Sequence, residues 1–214
     1  MRPSLSAHRC PGCEIRKPLC FCAMIPQLAL HTRVIILMHT CEEVLTTNTA
    51  RLAAKALTNS EVRIHGRRDE RMSSDGLVQP GKTSLLLYPS SRAVELTADF
   101  ASRLSGPVNL IVPDASWRQT KKFVRRAPGL VGIPHVKLPP GPLSEYYLRA
   151  QPSDQDLCTL EAIARAIGIL ECRAAQADLE TLLRVLVERT LWSRGMLAAG
   201  RCTTAGIPRE AFCS

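Results

Sequence analysis

The chain has 214 residues, 45% of them hydrophobic and 4% aromatic, and a formal net charge of +9. It is too apolar for a disordered polymer, large enough for one domain with a substantial core, and has no run near the ~18 apolar residues of a membrane-spanning helix. The excess of Lys and Arg points to a phosphate-rich partner, and charge alone does not choose among RNA, DNA and an anionic membrane.

Residues 1–30 lack periodic structure and read as a small segment ahead of one larger domain over 31–214. The polar N-terminus has no apolar core of a signal peptide, so a cytoplasmic location with reduced thiols is expected. Clustered cysteines then point to metal before disulfides. Cys10 and Cys13 stand as C-x-x-C, and Cys20 and Cys22 as C-x-C. Four thiolates this close can close around one tetrahedral zinc ion, with Gly12 letting the backbone fold back. Such a site would be structural, since no ligand position is left for substrate. The other reading is four free or redox-active thiols. Cys41, Cys158, Cys172, Cys202 and Cys213 are scattered and read as packing or surface thiols.

Residues 32–39 read as a buried strand, and 49–57 as an Ala/Leu-rich helix with Asn48 or Thr47 as its N-cap. Residues 61–65 alternate as a strand, and the polar stretch 65–82 is a loop. Gly76 to Thr83 spells a phosphate-binding G-x-x-x-x-G-K-T loop. That chemistry needs a strand before it and a helix after it; here a polar run precedes and a strand-like run follows, so the match is rejected. Residues 84–88 read as a strand stopped by Pro89, 93–104 as a helix, and 108–112 as a strand ended by Pro113. A helix over 117–126, a strand over 135–138 and a Pro/Gly-rich loop over 139–152 follow. The last helices cover 159–170 and 178–192; in the second, Leu179, Leu182, Leu183, Leu186 and Val187 share one apolar face. Apolar strands alternating with helices predict an α/β fold, a mainly parallel sheet with helices on both faces.

The most informative stretch is 110–126. In open α/β sheets chemistry sits where a strand's carboxyl end turns into a helix. Here that turn carries a carboxylate, Asp114, a hydroxyl, Ser116, and one of two tryptophans, Trp117. In the helix that follows, Arg118, Lys121, Lys122, Arg125 and Arg126 fall at i, i+3, i+4, i+7 and i+8, a single positive stripe. A charge run is commonly just a solvated face. A stripe without interleaved acids repels itself and has nucleic-acid phosphate as its natural counter-charge.

These residues resemble the DTW-domain family of tRNA-uridine aminocarboxypropyltransferases, named for an Asp-x-Thr/Ser-Trp signature that stands here as Asp114-Ala115-Ser116-Trp117. The opening Cys10, Cys13, Cys20, Cys22 cluster agrees. So do His39 and Glu42 before Asn48-Thr49-Ala50-Arg51-Leu52, the aromatic-Pro pair Tyr88-Pro89, and Arg149, Gln151-Pro152 and Thr159-Leu160-Glu161-Ala162. The resemblance spans roughly residues 10–190. Ser116 replaces the commoner Thr, and Thr40-Cys41 stand where the family often has Pro or an acid.

The resemblance implies a SPOUT-like fold with a C-terminal trefoil knot, an exception to unknotted topology. It implies S-adenosylmethionine as co-substrate, held by loops bearing Tyr88, Pro89, Pro113, Asp114, Ser116, Leu157, Thr159 and Glu161. It implies transfer of the 3-amino-3-carboxypropyl group to uridine N3, with tRNA as partner, no membrane and no DNA. Asp114 and Trp117 form the implied catalytic pair; His39, Glu42, Asn48, Arg51 and Arg149 join the helix stripe as the implied RNA-binding set. Asp114 has two possible roles, general base at uridine N3 or anchor for the co-substrate's ammonium. Trp117 stacks on uracil or adenine, or packs the turn. Ser116 also reads as a helix cap, Glu161 as a capping acid, and Arg51 as half of an ion pair. Rival readings are a SPOUT-type RNA methyltransferase and a zinc-containing RNA-binding module without catalysis. Oligomeric state is left open.

Overall fold

The computed structural model describes residues 8–68, 72–149 and 156–213. Gln151 and Pro152 of the sequence motif lie outside them. Six strands, β1 (Arg33–His39), β2 (Ser60–His65), β3 (Thr83–Leu87), β4 (Val94–Glu95), β5 (Val108–Asp114) and β6 (His135–Lys137), form one sheet in the order β2-β1-β5-β3-β6-β4. Every pairing is parallel. The helices are α1 (Thr49–Ala56), α2 (Ala98–Ser102), α3 (Trp117–Arg126), α4 (Thr159–Leu170) and α5 (Arg173–Ser193).

The central strands are apolar on both faces because both faces are covered. On β1, Val34, Ile36 and Met38 join a core with α1, α4 and α5, while Ile35 and Leu37 join a smaller core with Leu77, Leu86, Ile111 and Leu130. Phe123, Val124 and Ala127 pack α3 onto that second face. The cysteine segment belongs to the larger core, through Cys13, Ile15, Leu19 and Phe21. No helix among the described residues is long and apolar enough to cross a membrane.

Because all strands run parallel, their carboxyl ends share one edge. From β1 the chain passes through α1 to β2 on one side; from β5 it passes through α3 to β6 on the other. The adjacent pair β1 and β5 is therefore a switch point, where open α/β sheets leave a crevice. The register sets Met38 opposite Asp114, so His39 and Asp114 reach the same edge.

Three local expectations change. Pro113 does not end its strand: it pairs with Leu37, and β5 continues through Asp114. It is tolerated because β3 pairs only with residues 108–111 of β5, so a proline at 113 has a ladder partner on one side. Residues 93–104 are not one helix; Val94 and Glu95 pair with Val136 and Lys137, and Thr97 then caps the short α2. Helix α5 begins at Arg173, five residues before 178, because Ala174, Ala175, Gln176 and Ala177 are strong helix formers and Ala175 is buried. The rejection of the G-x-x-x-x-G-K-T run stands: it ends where Thr83 enters β3, with no helix behind it.

Candidate active site

Asp114 is buried, 6% exposed, at the end of β5. Its Oδ2 accepts from Asn48 Nδ2 at 2.9 Å and its Oδ1 from Thr159 Oγ1 at 2.5 Å. Asn48 is the N-cap of α1, its Oδ1 accepting from the Arg51 backbone at 2.9 Å, and Thr159 opens α4. One carboxylate thus holds the starts of two helices, whose N-terminal dipoles favour its charge. Burial still pushes its pKa above the ordinary carboxylate value, against those two hydrogen bonds; Glu42 adds to the rise and Arg149 opposes it.

The rim above Asp114 comes from two loops. Glu42 Oε2 accepts from Arg149 Nη1 at 3.0 Å, and Arg149 Nε and Nη2 each reach Thr47 Oγ1 at 3.2 Å. Tyr146 donates its hydroxyl to the Thr47 carbonyl at 2.8 Å. Glu161 is buried and its oxygens accept from Ser144 Oγ, the Glu145 N–H and the Cys158 N–H at 2.7, 2.7 and 2.9 Å. It caps α4 and clamps the 144–146 turn, as the capping-acid reading expected. Leu157 lies half-buried just before α4.

On the other side of β5, Ser116 is the N-cap of α3 in a capping box with Gln119. Its hydroxyl donates to Gln119 Oε1 at 2.6 Å and so is spent locally. Trp117 remains 44% exposed, so part of its ring is open to a ligand. Its ring lies 6.5 Å from that of Tyr88, which meets His135 edge-on at 5.8 Å. Pro89 is exposed beside them.

The histidines extend this edge. His39 Nδ1 accepts from the Cys41 N–H at 3.1 Å and lies 3.5 Å from Gln119 Nε2. Gly66, at φ +88°, leaves room for it: a Cβ there would sit 2.6 Å from His39 Nε2. His65 stacks on Phe123 with centroids 3.7 Å apart. Burial, then the neighbouring His39, lowers the His65 pKa to about 4. Neither His65 nor His135 was singled out in the sequence, because no spacing there reports which strand ends are neighbours.

The remaining expected residues divide. The five cations of α3 are exposed and make no salt bridge among the described residues. Arg51 does not face the edge as a free cation: it pairs with Glu14 at 2.6 Å and donates to the Glu43 carbonyl. Its ion-pair reading holds, with the partner in the cysteine segment.

The Sγ atoms of Cys10, Cys13, Cys20 and Cys22 all lie within 4.8 Å of one another, with Cys10 3.5 Å from Cys22 and 3.4 Å from Cys20, and Cys13 3.8 Å from Cys20. Thiolates at ~2.3 Å around a tetrahedral zinc stand about 3.8 Å apart, so this donor set fits zinc. A Cβ on Gly12 would fall 2.4 Å from Cys22 Sγ, so a glycine is required for the closure. Arg189 on α5 fastens the segment by donating to the Leu19 and Cys20 carbonyls at 2.9 and 2.7 Å.

With this geometry in place, the likenesses to known proteins are specific. A model of the DTW domain matches residues 7–191. The chain is 30% identical over 190 residues to tRNA-uridine aminocarboxypropyltransferase 2 of Drosophila melanogaster, covering 86% of this chain and 74% of that protein. It is 30% identical over 191 residues to the Macaca fascicularis protein of the same name, covering 87% of this chain but 63% of that one. With tRNA-uridine aminocarboxypropyltransferase A of Arabidopsis thaliana it shares 29% over 208 residues, 84% and 78% of the two chains. The SAM-dependent rRNA:acp-transferase Tsr3 from Vulcanisaeta distributa superposes with a TM-score of 0.49 at 17% identity, over 80% of this chain and 85% of that one.

Proposed function

This chain belongs to the DTW-domain family, and from that premise we propose that it is a tRNA-uridine aminocarboxypropyltransferase. It moves the 3-amino-3-carboxypropyl group of S-adenosylmethionine to N3 of a tRNA uridine and releases methylthioadenosine. The observation that carries this reading is the DTW signature at the switch point, its acid locked between two helix starts and its ring left open.

S-adenosylmethionine supplies an electrophilic carbon beside its sulfonium; binding and aim fall to the chain. The edge suits such a ligand. Asp114 keeps lone pairs beyond the two that are engaged, enough to accept from an ammonium. The half-buried Tyr88 ring offers an apolar face to an adenine, and the exposed Trp117 ring offers one to the target uracil. Pro89, Pro113, Leu157 and Thr159 shape the loops, and Ser116 and Glu161 contribute by holding them, since their side chains are spent.

At N3 a bond to carbon forms as the carbon–sulfur bond breaks; the electron pair goes to sulfur and the N3 proton to water. Burial of Asp114 favours the anchor role over the base role, because a small co-substrate reaches a recessed carboxylate more readily than a polynucleotide does. Holding the co-substrate so that one of three sulfonium carbons faces N3 is then the main catalytic contribution. The α3 stripe receives tRNA phosphates, with His39, Glu42 and Arg149 at the rim; Asn48 acts through Asp114. The cysteine segment holds a structural zinc. The α/β body takes the SPOUT-like arrangement with its C-terminal trefoil knot, and the protein works in the cytoplasm.

Mass spectrometry of tRNA nucleosides and of the by-product, after incubation with S-adenosylmethionine, tests this. Aminocarboxypropyluridine with methylthioadenosine is expected; S-adenosylhomocysteine with a methylated base would overturn it. Asp114→Asn, which keeps the side-chain volume, should abolish transfer and weaken co-substrate binding while tRNA binding persists. Full activity in that variant removes Asp114 from the mechanism.

A further inference from the structure

The loop between β3 and β4 holds an arginine in an unusual setting. Arg33, Arg51, Arg63, Arg149 and Arg184 are each fixed by a carboxylate, which also cancels their charge. Arg92 is fixed by an imidazole: its Nη2 donates to His135 Nε2 at 2.6 Å. Ser90 Oγ lies 2.7 Å from His135 Nδ1. A guanidinium has no lone pair to offer, so Nε2 is the acceptor and the proton of the neutral ring sits on Nδ1, facing Ser90. Burial, then the charge of Arg92, lowers the His135 pKa and keeps that ring neutral. Arg92 is thus positioned but uncompensated; it is exposed and makes no salt bridge among the described residues.

Its place is equally specific. Along the edge the order is Trp117, Tyr88, His135, Arg92, with successive ring centroids 6.5 and 5.8 Å apart. The α3 cations begin beside Trp117 at one end of this row, and Arg92 stands at the other. An exposed ring such as Trp117 flanked by fixed positive charge is how single-stranded nucleic acid is gripped, a base on the ring and phosphates on the cations. Exposure argues for a polymer rather than for the carboxylate of a recessed co-substrate. Resting on the tRNA reading above, we propose that Arg92, aimed by the positioning residue His135, contacts a phosphate of the RNA strand whose base lies against Trp117. The planar fork of arginine suits that bidentate contact.

The test is tRNA affinity over a salt series for the full-length chain, with S-adenosylmethionine affinity measured alongside. Arg92→Ala should weaken tRNA binding roughly three- to tenfold and lower the log–log salt slope by about 0.8, one phosphate contact, leaving S-adenosylmethionine affinity unchanged. His135→Leu should weaken binding alone but add nothing to Arg92→Ala, and His135→Gln, which restores an acceptor, should recover it. If Arg92→Ala binds with parental affinity and slope while Lys121→Glu/Lys122→Glu loses both, the Arg92 contact is wrong and the tRNA reading stands. If the parent chain binds no tRNA, both fall. Loss of S-adenosylmethionine affinity instead would make Arg92 a co-substrate contact and overturn the proposal. An equal effect of His135→Leu in both backgrounds would reduce His135 to packing.

Discussion

His65 enters the site through register. Strands β1 and β2 pair His39 with His65, and α3 then lays Phe123 flat against the second ring. A neutral ring suits this place, 5% exposed and beside another histidine; a charged one does not. The folded pKa, lowered to about 4, lies below the ~6.5 of an unfolded histidine. As pH falls through ~6.5 the unfolded chain takes up a proton that the folded chain refuses, so this stability is present above the unfolded pKa and lost toward the folded one. Between pH 7 and pH 5 the loss is about 2 kcal/mol from this group. Urea unfolding of the parent and of His65→Gln at both pH values should show a pH-dependent difference that shrinks by about that amount in the variant. An unchanged difference would mean that His65 does not titrate this way. Asp114 and Trp117 were legible because their signature is local. His65 and His135 were not, because nothing in a single strand reveals which strand end will lie next to it.

The elements read best from sequence were those that carry their own start signal. Helix α3 begins behind Ser116 and α1 behind Asn48, and both caps bond within three residues of themselves, so the letters suffice. The strand β4 has no such signal; two residues count as a strand only because β6 lies beside them. Ser116→Ala removes the acceptor at the head of α3 and frees Gln119 from its side of the box. A cost of about 1 kcal/mol in stability is expected, read as a lower urea midpoint with an unchanged m-value. Because α3 also presents the cationic stripe, tRNA affinity should fall by a modest factor while the salt slope stays constant, since no phosphate contact is deleted. A changed slope would mean that Ser116 touches the RNA itself.

The parallel sheet was legible from apolar strands alternating with helices, but its order was not: β5 inserts between β1 and β3, a matter of crossovers rather than of composition. The same gap hid how the cysteine segment joins the site. Its Glu14 pairs with the Arg51 side chain, the Arg51 backbone donates to Asn48 Oδ1, and Asn48 Nδ2 donates to Asp114. A continuous chain of contacts thus runs from the thiol cluster to the buried carboxylate. Metal sites of this kind couple ligand binding to folding of the segment that supplies the ligands. Stripping the zinc proposed for this cluster should therefore loosen residues 8–28 and, through Glu14 and Arg51, the head of α1. Hydrogen exchange before and after chelation should show faster exchange in both regions with the central strand β5 unchanged, and S-adenosylmethionine affinity should drop several-fold although no thiol touches that site. Glu14→Gln cuts the link while leaving all four cysteines in place. It should keep zinc and still lose part of the co-substrate affinity, and chelation should then cost that variant less than it costs the parent. If chelation costs both chains equally, the Glu14–Arg51 pair carries no coupling and the cysteine segment supports the fold by packing alone.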